Sequence, residues 1–165
     1  MTKEISIYLW DLRFCALHKV VANKLYHQKR AAIFLLRERI SMLITLVGST
    51  GALFFTDQTA WWLGLLAFSG IAASLVFRWS DRARSAAVTM VQYMSIQTDI
   101  ERSGERGFTE VDINFWKAQM ASINEPAPNR ILWLKSVNEA AKSLGVAEEL
   151  ELNFWQKNTP VIFIS

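Results

Sequence analysis

The chain has very few of the residues that build disulfides, metal sites and many catalytic sites. Its 165 residues include one cysteine, Cys15, and two histidines, His18 and His27. A single cysteine excludes an internal disulfide framework, and these three residues lack the spacing of metal ligands. The sequence also contains no GxSxG nucleophile motif and no glycine-rich phosphate loop. We therefore predict a protein that is not an enzyme, with no catalytic, metal-binding or cofactor-binding residues.

Glycine and proline are absent from residues 1–47, which are rich in Leu, Ala, Lys and Arg. This composition predicts one long helix that starts near Ile5. Apolar periodicity and glycine or proline breaks predict further helices over residues 82–102, 108–123 and 131–144. Gly145 stands where a helix C-terminus prefers glycine. The tail, 146–165, is mixed, and its end from Pro160 is more typical of a strand or an extended segment.

Charge is almost absent from residues 40–77, where Asp57 is the single charged side chain among 38 residues. The whole chain carries 18 Lys or Arg and 15 Asp or Glu, so random scatter would place roughly seven or eight charges there. The run divides into 40–56 and 60–77, because Asp57 and the threonines around it favour a turn and a helix start. The chain therefore has a polar part and an apolar part.

Three arrangements are open to this apolar run: one membrane span, two spans, or the core of a soluble helical domain. One span would be about 57 Å long and would place Asp57 near the bilayer centre, at high cost. Two spans would be about 24 and 27 Å long, close to the hydrocarbon thickness of about 30 Å. Both halves are apolar all round, whereas a helix at the edge of a soluble core keeps a polar face. The two-span arrangement is favoured.

The residues around the run give the orientation of the two spans. Residues 1–39 contain eight Lys or Arg against three Asp or Glu, and the turn contains no basic residue. By the positive-inside rule both termini lie in the cytoplasm. The residues that carry this topology signal, and that could also attract lipid headgroups or a ligand, are Arg37, Arg39, Arg78, Arg82 and Arg84. Tryptophans expected at the membrane interfaces are Trp61, Trp62 and Trp79.

Small residues in the spans predict close helix packing, within the hairpin or between copies of the chain. They form the pairs Gly48/Ala52 and Gly70/Ser74, with Gly51 beside the first. The fold class is thus all-α, with a two-span transmembrane helical hairpin and long cytoplasmic helices that form a bundle. The predicted regions are a basic helix (1–39), the hairpin (40–77), a cytoplasmic helical region (78–145) and the tail (146–165).

The order of these parts resembles the SLATT family, the SMODS and SLOG-associating two-transmembrane effector domains of prokaryotic conflict systems. The resemblance covers about residues 20–145. It lies in three segments, HKVVANKLYHQKRAAIFLLRERI before the first span, RARSAAVTMVQYMSIQTDIE after the second, and INEPAPNRILWLKSVNEAAKSLG at the end. It implies an antiviral membrane effector that forms homo-oligomers and perturbs the inner membrane when a cyclic-nucleotide signal is sensed. It assigns no nucleotide site to this chain.

Two other functions remain open from the sequence. A membrane-anchored adaptor or scaffold would recruit a cytoplasmic partner without changing permeability, and a soluble interaction domain would use the apolar run as its core. Nucleic-acid binding is not expected, because no basic stripe interleaved with exposed aromatic residues is evident.

Overall fold

The computed structural model describes residues 3–54, 58–104, 107–123, 125 and 128–146. Every regular element in these residues is a helix, so the all-α prediction is confirmed. The helices are α1 (Lys3–Phe54), α2 (Gln58–Phe77), α3 (Trp79–Arg102), α4 (Glu110–Ser122) and α5 (Arg130–Ser143). The expectation of an extended C-terminal end falls outside the described residues.

Helix α1 is 52 residues long and crosses the predicted boundary between residues 39 and 40 without a break. The absence of glycine and proline before Gly48 explains this continuity, since nothing in that stretch interrupts the hydrogen bonds of the helix. Helix α3 starts three residues earlier than predicted, at Trp79. Only Arg78 separates α3 from α2. The φ of Arg78 is 45°, in the left-handed region that few non-glycine residues adopt.

The chain divides into two compact units. Unit 1 comprises residues 1–29 and 86–165, and unit 2 comprises residues 30–85. In unit 1 the first part of α1 packs against α3, α4 and α5 through two groups of buried apolar side chains. The larger group contains Leu9, Ala16, Val20, Tyr93, Ile96, Ile100, Phe108, Ile113, Trp116 and Met120. The smaller contains Val21, Ala22, Val137 and Ala140.

The short helices of unit 1 have well-formed ends. Thr109 starts α4 with a capping box, in which its hydroxyl accepts from the Asp112 backbone N–H and the Asp112 carboxylate accepts from the Thr109 backbone N–H. The Asn129 side chain caps α5. After α5, Gly145 has a φ of 73°, and Val146 N–H donates to the Ala141 carbonyl at 2.9 Å. This is a Schellman motif, and it confirms the helix end predicted at Gly145.

Candidate functional site

Two antiparallel segments in unit 2, Ile40–Phe54 of α1 and the whole of α2, form what we call the hairpin. Small residues stand at the closest approaches between them. A Cβ atom on Gly48 would lie 2.6 Å from the backbone nitrogen of Ala67 and 2.6 Å from the carbonyl oxygen of Leu63. Real side chains do not approach backbone atoms so closely. Gly48 therefore allows the two helix backbones to come into close contact. Small residues have the same role in pairs of membrane helices.

Gly70 makes the second close approach, nearer the other end of the contact. A Cβ there would lie 2.5 Å from the Thr45 hydroxyl and 3.0 Å from the Ser41 carbonyl oxygen. The Ser41 hydroxyl is buried and donates to the Gly70 carbonyl at 2.5 Å, which joins the helices by a hydrogen bond. Gly51 contacts the Leu63 side chain, whereas Gly64 faces open space.

The outside of the hairpin is formed by large apolar side chains. Helix α2 buries only Ala67 and Gly70, while Phe68 is 68% exposed. Leu53, near the end of α1, is 83% exposed. The other strongly exposed apolar side chains of the two segments include Met42, Leu43, Leu46, Val47, Phe54, Trp61, Trp62, Leu75 and Val76. In the hairpin, small and hydroxyl-bearing residues lie inside and large apolar residues lie outside. In a water-soluble helix pair the large apolar residues lie inside instead.

Three exposed hydroxyl groups on the hairpin donate hydrogen bonds within their own helices. Ser49 and Thr50 both donate to the Leu46 carbonyl, and Ser69 donates to the Leu66 carbonyl. A shallow groove of about 380 Å³ runs between the two segments. Its polar lining residues are Ser41, Thr45, Ser49 and Ser74.

The i,i+4 spacing in the sequence groups small residues along one helix. In the structure their contacts are with residues of the other helix of the hairpin. Gly48 faces Ala67 and Leu63 of α2, while Ala52 is half-buried. Ser74 is also half-buried and lines the groove. The i,i+4 spacing placed these residues on one helix face but did not identify the residues they meet.

The three predicted interface tryptophans lie at the two ends of α2. Trp61 and Trp62 are exposed at its start and contact each other edge to face, with ring centroids 5.5 Å apart. Trp79 is half-buried just beyond its end and stacks on Phe77, with centroids 5.4 Å apart. Aromatic rings therefore lie at both ends of α2.

The predicted basic residues lie just before the start of the α1 segment and just after the end of α2. Arg39 is exposed before the α1 segment, and Arg82 and Arg84 are exposed on α3. Arg37 is half-buried. Arg78 is exposed and binds the Asp81 carboxylate, with its Nε at 2.8 Å.

Among the described residues, one helical stretch is long and apolar enough to cross a membrane, Gln58–Arg102, and it is largely exposed. The predicted span 40–56 does not qualify. Its apolar part ends at Phe54 within the described residues, and three charged side chains, Arg37, Glu38 and Arg39, immediately precede it. Of the two predicted spans, the described residues therefore contain one candidate, in the second segment.

Unit 1 contains a buried polar cluster that the sequence did not reveal. His27, 1% exposed, lies with its Nε2 atom 3.2 Å from Glu125 Oε1, and its ring stacks on Tyr93 with centroids 5.9 Å apart. Tyr93 hydrogen-bonds with Glu125 and Asn23. Burial and the hydrogen bond to Glu125 raise the pKa of the Tyr93 phenol, which therefore stays neutral. Ninety-eight residues separate His27 from Glu125, so no local pattern could have paired them.

Three members of this cluster, Asn23, Tyr93 and Glu125, line an open cleft of about 800 Å³, which we call the unit 1 cleft. Its walls come from α1, α3, α4 and the residues after α4. The lining residues with polar or charged side chains are Cys15, Lys19, Asn23, Tyr93, Lys117, Ser122 and Glu125. No group of three potential metal ligands occurs in the part of the chain that the structure describes. Comparison with protein-family models, curated proteins and solved structures finds no match to this chain.

Proposed function

We propose that this chain is a non-enzymatic membrane effector that inserts its hairpin into the bilayer, assembles into homo-oligomers and makes the inner membrane permeable. The observation that carries the proposal is the reversed packing of the hairpin. Its interior consists of Gly48, Gly70, Ala67 and Ser41, and its exterior of large apolar side chains. Exposed to water, a surface of this kind would aggregate, whereas lipid tails solvate it at no cost.

The proposal includes two spans and therefore a multi-pass protein. Helix α2 has 20 residues and a length of about 30 Å, enough to cross a hydrocarbon core. The α1 segment is shorter, at about 22 Å over 15 residues. It contacts α2 through Gly48 and Gly70 along its length, so an inserted α2 would carry it into the bilayer. Basic side chains and bilayer thinning can accommodate the shorter segment.

Orientation follows from charge. Arg37 and Arg39 precede the α1 segment, and Arg82 and Arg84 follow α2, which favours cytoplasmic termini. The resemblance to SLATT domains supports an effector of a conflict system, with a cyclic-nucleotide signal as its trigger. It also supports oligomerisation, since such domains act on the membrane as assemblies.

The test is expression of the chain in bacteria with a membrane-potential dye as the readout. We expect depolarisation under activating conditions, with the protein recovered in carbonate-washed membranes. Unchanged potential with the protein in the membrane would contradict the effector function. Complete extraction by carbonate would contradict membrane insertion itself.

A membrane-anchored adaptor is the second candidate, and exposed apolar residues on α3 favour it. Val88, Val91 and Met94 are each more than half exposed, and their spacing places them near one helix face. Replacing the hairpin by an unrelated two-span anchor separates the two functions. An adaptor would keep its activity after the exchange, and the effector proposed here would lose it.

A further inference from the structure

The unit 1 cleft has two lysines among its lining residues. Lys19 lies on the same face of α1 as Ala16 and Asn23, at spacings of three and four residues, and all three line the cleft. Lys117 lies on α4, where Met120 and Ala121 share its face at the same spacings. Both lysines are exposed, and neither forms an ion pair with a described residue. The cleft therefore offers two ammonium groups that form no ion pair with the carboxylates the structure describes.

The cleft also offers hydrogen-bond acceptors. Among the described lining residues one is a carboxylate, Glu125, and it is held by Tyr93 and His27. A carboxylate has about four acceptor positions, so this one can also accept from a ligand. Its side chain is 23% exposed. The Asn23 amide adjoins it through Tyr93.

The apolar part of the lining comes from Ala16, Met120, Ala121 and Ile123. Such a wall accepts a flat ring, and the thioether of a methionine adapts to its outline. The volume of about 800 Å³ falls in the range of small-molecule sites, about 300–1,000 Å³, and is far larger than a single inorganic ion requires.

We infer that the unit 1 cleft binds a small organic phosphate whose other end carries N–H donors, which is the chemistry of a nucleoside monophosphate. Lys19 and Lys117 would hold the phosphate. Glu125 and Asn23 would accept from the amino edge of the base, and Met120 and Ala16 would contact its face. The inference concerns binding alone and does not rest on the membrane function.

The test is isothermal titration calorimetry on the full chain in detergent micelles. The titrants are the four ribonucleoside 5′-monophosphates, their nucleosides, ribose 5-phosphate and inorganic phosphate. We expect at least one monophosphate to bind about tenfold more tightly than its nucleoside and than ribose 5-phosphate, because only the nucleotide engages both ends. If no monophosphate binds, or if none exceeds both fragments, the inference is overturned.

Variants locate the site. The double substitution Lys19→Ala/Lys117→Ala should weaken monophosphate binding about tenfold or more. Lys142→Ala, which removes an exposed lysine of α5 outside the cleft, is the matched control and should change binding by less than about twofold. Glu125→Gln should reduce the preference for the monophosphate over ribose 5-phosphate. Equal losses in the double variant and the control would refute the site, and a melting curve for each variant identifies any that fails to fold.

Discussion

Gly48 and Gly64 allow one substitution to be compared at two helix positions that differ mainly in the space around them. An added Cβ at Gly48 would meet backbone atoms of Ala67 and Leu63 at 2.6 Å, and the Ala67 Cβ at 2.9 Å. An added Cβ at Gly64 would meet nothing within 4 Å. Gly48→Ala must therefore push the two helices apart, whereas Gly64→Ala adds a methyl group to an open surface.

The expected energies have opposite signs. Overpacking of a tight contact costs about 1–3 kcal/mol, and backbone atoms on the facing helix cannot rotate away. Alanine in place of glycine inside a helix gains up to about 1 kcal/mol. We expect Gly48→Ala to lower the stability of the hairpin and Gly64→Ala to leave it unchanged or raise it. Both variants gain the helix propensity of alanine, so the difference between them is the overpacking cost, about 1–3 kcal/mol.

Thermal unfolding in detergent micelles, followed by circular dichroism, measures this difference. For a chain of this size about 1 kcal/mol corresponds to about 2–4 °C, so the two variants should melt about 2–12 °C apart. Equal melting temperatures would show that Gly48 does not lie at a close helix contact. The packing proposed for the hairpin would then be refuted.

Three further predictions concern individual hydrogen bonds. Ser41→Ala removes the donor to the Gly70 carbonyl and should cost about 0.5–1.5 kcal/mol in the same melting assay. Ser69→Ala, whose exposed hydroxyl bonds within its own turn, should be neutral, and equal effects would count against the interhelical bond. Thr109→Ala removes the cap of α4 and should cost about 1 kcal/mol, measured by urea unfolding; no loss would contradict the capping role. The raised pKa of Tyr93 means that the unfolded chain loses this proton first as pH rises above about 10. The free energy of unfolding should then fall more steeply above pH 10 in the wild type than in Tyr93→Phe. Parallel curves of unfolding free energy against pH for the two proteins would contradict this.

Local features of the helices were readable from the sequence, because local composition determines them. The lack of glycine and proline before Gly48 predicted the long α1, and Gly145 predicted the end of α5. The start of α3 was placed too late, at Arg82. A non-glycine residue with positive φ, Arg78, makes the break between α2 and α3, and arginine gives no sequence signal for that conformation.

Long-range contacts were beyond prediction from one sequence. Spacing placed Gly48 and Ala52 on one face, but it could not indicate that Ala67 is the residue Gly48 meets. The cluster of His27, Tyr93 and Glu125 joins three distant parts of the chain. Histidine spacing gave no reason to expect it, since its partners are neither on the same helix nor at a recognisable interval.

The central claim is that both segments of the hairpin lie in lipid with their large side chains outward. Spin labels at Leu46 of α1 and Phe68 of α2, in a Cys15→Ser background and reconstituted vesicles, test it most directly, with Thr98 of α3 as an exposed control. We predict that the labels at 46 and 68 collide readily with oxygen and are protected from a water-soluble nickel reagent, and that the label at 98 shows the opposite pattern. Access of the nickel reagent to either hairpin label, at the level found for position 98, would contradict the two-span hairpin.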